Sequence, residues 1–266
     1  MVLKIRGFKV KEWVYTESIT NESVIKDEGR KPNEMAIIKE AEEQKVLGVV
    51  WDPASDEMKY KVKPVHVKDK QILTKRMVLS ELARVYDPIG FTAAFLIRGK
   101  ILMQKLWQRG IDWDDDLQAS EKSEWRKFFL ELEHLEGVSF PRCLMRKPVP
   151  VELVIFCDAS EDAFRAVAYT RWEESEGIFG VRFLSAKSRV APLKCLSIPR
   201  LELQAAVIAS RLCGTIRKEM SVDFESVVFL SDSIIALSWI RGQSRQYKTF
   251  VANRVSEIQS STDPSE

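Results

Sequence analysis

The chain has 266 residues, enough for one large core or two modest ones, and its 45% hydrophobic and 30% charged content excludes a disordered or fibrous chain. The net charge of +2 excludes little by itself, but the charges are unevenly placed: lysine and arginine outnumber acids twelve to three over residues 59–109 and eight to one over 177–218, whereas acids lead nine to three over 112–136. Basic stretches separated by an acidic one suggest a surface facing a polyanion, with a solvated back.

Residues 1–70 read as the end of a domain. Residues 1–13 form a short, basic, partly apolar segment without the apolar core of a signal peptide, and 16–43 are polar, a loop with a short helix and a turn at Gly29 and Pro32. Residues 45–51 (KVLGVVW) predict one strand stopped by Asp52-Pro53. Residues 57–67 alternate Met58, Tyr60, Val62 and Val65 with lysines, so the two runs predict a hairpin. The region has too little apolar periodicity for a core of its own and is expected to lean on the helices C-terminal to it.

Residues 71–145 predict three amphipathic helices. Thr74 caps the first, with Met77, Val78, Leu82, Val85 and Tyr86 on one side and a stop at Pro88 and Gly90. The second covers about 95–109 on a stripe of Leu96, Ile101, Leu102 and Leu106, with Gly110 as its stop. Trp113 and the acids of 112–116 connect it to the third, which Ser120 caps, Glu121 and Glu124 start, and Trp125, Phe128, Leu132 and Leu135 line. The aromatic residues here are expected to pack in a core. Lys75, Arg76 and Arg98 are candidate phosphate contacts, since such contacts need only charge within reach.

Pro148 and Pro150 mark a boundary. Strands are predicted at 151–157, 163–172 and 178–186, with EESEG turning between the last two. A helix begins at Pro199 and runs to about Lys218, a fourth strand covers 226–230, a short helix comes after Asp232, and a last helix covers 247–260. Three strands, a helix, a strand and further helices make an α/β plan with a mixed sheet. The predicted organisation is therefore 1–70, 71–147 and 148–266.

The chemistry concentrates in the last region. Asp158 ends an apolar strand (VELVIFCDAS), Glu202 lies near a helix start (IPRLELQAA), and Asp232 ends another strand (VVFLSDS). An acid at the end of an apolar strand is costly unless it is solvated, paired or bound to a metal. Strand-Asp, helix-Glu, strand-Asp is a layout that converges three carboxylates on two Mg²⁺ ions for phosphodiester hydrolysis. Ser160 and Ser233 are candidates to orient the carboxylates or substrate, and Lys187 and Arg189 join the candidate nucleic-acid contacts. The four cysteines lack metal-finger spacing and read as reduced thiols of an intracellular, cytoplasmic or nuclear protein, and only two histidines, His66 and His134, are present. Zinc sites and Ser-His-Asp chemistry thus have little support. No apolar run approaches the roughly 20 residues that span a bilayer, so no membrane partner is expected.

The stretches FCDAS (156–160), SAKSRVAPLK (185–194), SIPRLELQAAVIASRL (197–212), LSDSIIALSWI (230–240) and FVANRVSEI (250–258) resemble the ribonuclease H domain of BEL/Pao-type LTR retrotransposon polyproteins. GFKVKEW (7–13), LGVVWDP (47–53) and TKRMVLSELARVYDPIGF (74–91) resemble the preceding reverse-transcriptase tail. The resemblance implies a ribonuclease H-like mixed sheet with flanking helices, preceded by a palm remnant with a hairpin and a thumb- or connection-like helical region. It implies a retroelement polyprotein fragment whose partners are an RNA–DNA hybrid or other nucleic acid and the rest of that polyprotein, and whose ancestral reaction is Mg²⁺-dependent hydrolysis of the RNA strand.

Three departures qualify it. The Tyr-x-Asp-Asp polymerase motif is absent, which implies no polymerisation by this chain. Phe164-Arg165-Ala166 stands where the family has Tyr-Gly-Ala, and an arginine there is expected to crowd close backbone approach. The family's fourth carboxylate comes after an Asn-Pro-Ala-Asp stretch that this sequence does not reach, so the domain is expected to be truncated and its activity weak or lost. The alternatives are a non-catalytic nucleic-acid-binding remnant and, from the peptidase label attached to this family, an aspartic peptidase. The Asp-Thr/Ser-Gly loop of such peptidases is matched by neither Asp158-Ala159-Ser160 nor Asp232-Ser233-Ile234.

Overall fold

The computed structural model describes residues 44–46, 49–62, 72–144 and 149–264. The expectations for 1–43 and for the far end of the predicted hairpin, 63–67, lie outside the described residues. The chain divides into two compact units: residues 133–143 belong with the first strands, and the predicted helical region shares the second unit with everything after Leu144.

In the first unit, β1 (Gln44–Val46), β2 (Val49–Asp52) and β3 (Glu57–Tyr60) are joined by β4 (Ser139–Pro141) in an antiparallel sheet of order β1-β2-β3-β4. The single strand predicted over 45–51 is thus two: the chain reverses after Val46, and Gln44 pairs with Trp51. The β2–β3 hairpin forms as expected. Asp52 Oδ1 accepts the Ala54 amide at 3.0 Å and so sets the turn. Lys59 bonds to Asp52 at 2.7 Å and holds the Asp52 carboxyl down at about 2. Asp56, the one non-glycine residue with positive φ among the described residues, accepts from Trp51 Nε1 at 3.1 Å and from Arg142 Nε at 2.6 Å.

In the second unit, α1 (Lys75–Ala83), α2 (Ala93–Gln108) and α3 (Ala119–Glu133) surround an aromatic core of Trp125, Phe128 and Phe129. Thr74 caps α1 as expected, its hydroxyl accepting from the Met77 amide. Ser120 does not cap α3. Glu121, buried in the first turn, accepts from the Gln118 amide at 2.9 Å and pairs with Arg109 at 2.7 Å, so its carboxylate closes that end. The buried face of α2 is Leu96, Gly99, Met103 and Leu106 rather than Ile101 and Leu102. Gly99 turns it, because Phe128 and Leu82 lie where a larger side chain would go. Not every aromatic residue is core: Tyr86 is 52% exposed, Trp107 49% and Trp113 36%.

The second sheet has order β7-β6-β5-β8, from β5 (Glu152–Ala159), β6 (Ala163–Ser175), β7 (Ile178–Val190) and β8 (Ser226–Leu230). β5–β6 and β6–β7 are antiparallel and β5–β8 is parallel, which makes the sheet mixed as predicted. The helix α4 (Ile198–Glu219) covers one face. Leu153, Ile155 and Cys157 alternate toward it, together with Ala166 and Ala168, and meet its Leu201, Leu203 and Ala205. The short helix α5 (Ile234–Arg241) comes after β8, and α6 (Thr249–Ser261) packs beside α4, where Glu257 pairs with Arg211. On the other face Val154, Phe156, Val167, Tyr169, Arg171 and Val181 line a shallow apolar depression of about 430 Å³.

β7 runs four residues beyond its predicted end. The α2 region secures this edge: the Ala186 amide donates to the Ile89 carbonyl at 2.7 Å, and Gln104 Nε2 donates to the Ala191 carbonyl at 2.7 Å. Gly90, at φ +80°, lies so close to the Ala186 carbonyl that a Cβ there would collide with it. No described helix is long and apolar enough to cross a membrane. Cys157 and Cys213 are buried, and Cys143 and Cys195 are exposed.

Candidate metal and nuclease centre

Strand register brings two of the three acids together. In the parallel β5–β8 pair Phe156 lies opposite Leu230, so Asp158 and Asp232, each two residues on, emerge side by side at the same end of the sheet. Asp158 is the penultimate residue of β5. Asp232 sits in the turn before Ser233, the N-cap of α5.

The third acid arrives from the helix layer. Glu202 is in the first turns of α4 and is only 5% exposed. β8 stops pairing at Leu230, so the Ala159 amide has no partner on that side, and Glu202 Oε1 accepts it at 3.2 Å. Ligand oxygens of Asp158, Glu202 and Asp232 all lie within 4.8 Å of one another. The sheet and the helix therefore converge the three carboxylates that the sequence singles out.

The electrostatics are those of three carboxylates crowded together, one of them buried. Glu202 Oε2 is buried with no hydrogen-bond partner. Burial pushes the Glu202 carboxyl above the ordinary carboxylate value, the charges of Asp158 and Asp232 add to the rise, and the Ala159 amide only partly offsets it. Behind the cluster the Cys157 thiol is pushed up to about 11, mainly by burial, against a Ser231 hydrogen bond that lowers it and with the three carboxylates raising it further.

The residues fit a hard divalent cation. They offer carboxylate oxygens alone, no thiolate or imidazole among the three, at a spacing one ion can span, and one of those oxygens is buried and unsatisfied. The raised carboxyl also makes stability depend on pH. Because the folded-state pKa of Glu202 is raised, the fold binds its proton more tightly than the unfolded chain does, and the carboxyl's contribution to stability falls as pH climbs above 4.5. In EDTA, Glu202→Gln is expected to melt higher than the wild type at about pH 8 and to lose that advantage at about pH 4, in paired thermal melts. An advantage that is independent of pH would contradict the assignment.

The two candidate serines serve the backbone around the acids. Ser160 closes the β5–β6 turn, its hydroxyl hydrogen-bonded to the Ala163 backbone, and Ser233 accepts from the Ala236 amide as the cap of α5. Lys75 is a correction: it is buried, donates to the Ile111 carbonyl, and lies 4.2 Å from the centre of the Trp107 ring and 5.0 Å from that of Trp113, so its charge does not face a phosphate. Arg76 is exposed but paired to Asp114 through two hydrogen bonds, and Arg98 is paired to Glu131 at 2.6 Å. Lys187 and Arg189 are exposed on β7, opposite Ala166 and Phe164 of β6. Those residues in turn face Cys157 and Ala159 of β5, so both cations lie at the Asp158 end of the sheet, about 10 Å away across two strand spacings.

Arg165, expected to crowd the backbone, does not. It sits in regular register opposite Asp158, and its guanidinium donates to Asp158 Oδ2 at 2.9 Å. The one-position register of an antiparallel pair is the sequence signal that finds this contact.

The sequence profile of the Pao retrotransposon-like RNaseH-like domain matches residues 74–233, which include all three acids. The chain belongs to this family. The Pao-type match begins at the cap of α1, so the helices that dock on β7 are part of the matched region together with the sheet. No curated protein matches the sequence. Two of the solved structures similar to the Pao-type chain are foamy viral proteins. One is the foamy viral protease-reverse transcriptase in complex with dsDNA, at 14% identity and a TM-score of 0.49, covering 84% of this chain and 43% of that one. The other is the foamy viral protease-reverse transcriptase dRH in complex with dsDNA, at 12% identity and a TM-score of 0.47, covering 82% of this chain and 35% of that one. The Pao-type chain thus spans less than half the length of either viral protein.

Proposed function

We propose that this domain is a ribonuclease H-type endonuclease unit of a retroelement polyprotein, whose ancestral reaction, hydrolysis of the RNA strand of an RNA–DNA hybrid at Asp158, Glu202 and Asp232, it retains in weakened form. The observation that carries the reading is the buried, unpartnered Glu202 oxygen within a cluster of three carboxylates at one end of the sheet. Within that polyprotein we read residues 1–70 as a palm remnant, 71–147 as a thumb- or connection-like region and 148–266 as the nuclease domain.

Each acid has a distinct part. Asp158, on the central strand, is the ligand best placed to be shared, since it stands between Arg165 on β6 and Asp232 beyond β8. Glu202 is held by the Ala159 amide and by its buried helix, so it enters from the core side at a fixed position. Asp232 is exposed and closes the site on the solvent side. Two Mg²⁺ ions bound there would supply an activated water and charge neutralisation at the phosphorus. Lys187 and Arg189 supply positive charge at the same end of the sheet for the phosphates flanking the scissile bond, recognition then resting on A-form shape and 2′-hydroxyl contacts.

Nothing in the geometry favours a peptidase: Asp158 is followed on its strand by Ala159, and Asp232 by a helix cap, rather than by a glycine loop. The test is cleavage of a labelled RNA strand in an RNA–DNA hybrid. Cutting that requires Mg²⁺ and stops with EDTA is the expected result. Binding of the hybrid without cutting would leave the non-catalytic remnant, and pepstatin-sensitive proteolysis would overturn both.

A further inference from the structure

We propose that Arg165 is a built-in competitor for the cation and sets the divalent affinity of the centre. This rests on the metal-site reading above. The guanidinium is 2.9 Å from Asp158 Oδ2, so one oxygen of the most central ligand is already engaged by a positive charge. An incoming cation must take that oxygen from Arg165 and also bind beside a like charge, and both effects weaken binding.

The contact is made for exchange rather than permanence. The two side chains are 59% and 48% exposed, so the pair is solvated and the arginine is free to swing away. Among the described residues no lysine or arginine pairs with Glu202 or Asp232, which concentrates the competition on Asp158. The fold also supplies an internal control. Arg171 pairs with Glu152 across the same two strands, six residues from Arg165 and at the opposite end of β5 from Asp158. It is a similar cross-strand cation with no carboxylate cluster beside it.

The expected consequence is a gain on removal. Exposed ion pairs are weak, so Arg165→Ala should tighten cation binding by about two- to tenfold rather than by orders of magnitude. The experiment is titration of the full chain with Mn²⁺, followed by electron paramagnetic resonance, and with Mg²⁺, followed by calorimetry. It compares wild type, Arg165→Ala, Arg171→Ala and Asp158→Asn. The inference predicts tighter binding in Arg165→Ala, wild-type binding in Arg171→Ala and loss in Asp158→Asn. If Asp158→Asn weakens binding but Arg165→Ala leaves it unchanged or weakens it, the competitor role is wrong and the metal site stands. Equal gains in the two arginine variants would reduce the effect to net charge and overturn the role. If no form binds the ions, or Asp158→Asn binds as wild type does, the metal centre itself is refuted and this inference falls with it.

Discussion

Asp158→Asn is expected to lower the rate of RNA-strand cleavage by at least about a hundredfold while leaving the fold intact. Asparagine preserves the shape of the side chain and removes its charge, so the loss falls on the electrostatics of the centre. The residue is half-exposed at the end of β5, and it pairs with exposed Arg165, so little packing is at stake. Substitutions at such positions commonly shift stability by no more than about 0.5 kcal/mol. Hybrid cleavage in Mg²⁺ alongside a thermal melt separates the two quantities. A variant that melts normally and cuts at the wild-type rate would remove Asp158 from the site.

The largest stability effect is expected away from the acids, at Trp125. It is 1% exposed, with Phe128 and Phe129 rings each 5.6 Å from its own. Trp125→Ala should cost about 3–5 kcal/mol, through lost burial and the cavity left behind. At roughly 2–4 °C of Tm per kcal/mol for a unit of this size, the melt should move down by about 6–20 °C. Trp107 is the contrast, because it is 49% exposed and lies against Lys75 at the surface of the same helices. Trp107→Ala should move the melt far less, and equal shifts for the two would contradict the division between core and surface aromatics.

Much of the second sheet was legible because its signals are long and local. Residues 226–230 are predicted as a strand and form one, since a short β-branched and aromatic run between polar turns suits a half-buried edge strand. The α4 helix was bounded by Pro199 at its start and a continuous apolar face. The convergence of Asp158, Glu202 and Asp232 was legible as a pattern of contexts, each acid closing or opening an element. The decisive geometry, equal offsets from the Phe156–Leu230 pair, needs the parallel register, which the sequence does not state.

What was missed depends on partners distant in sequence. β4 is three residues long, too short for periodicity, and exists because Ser139–Pro141 meets β3 some eighty residues earlier. β7 continues past Ala186 because its polar edge is anchored there, the Ala186 amide and the Ser185 hydroxyl both donating to the Ile89 carbonyl. Lys75 looked like a surface cation, yet two tryptophans and a carbonyl enclose its ammonium, and no local rule separates these cases. Arg165 reads as an obstruction in the sequence because only the strand ladder sets it opposite Asp158.

Asp158, Glu202 and Asp232 are expected to act as one cation centre. The most direct measurement is the anomalous difference map of a crystal grown or soaked with Mn²⁺. The expected result is a peak bounded by the carboxylates of Asp158, Glu202 and Asp232, with Arg165 turned away from Asp158. No peak there at an Mn²⁺ concentration that saturates other sites, or Glu202 Oε2 pointing away from any bound ion, would contradict it.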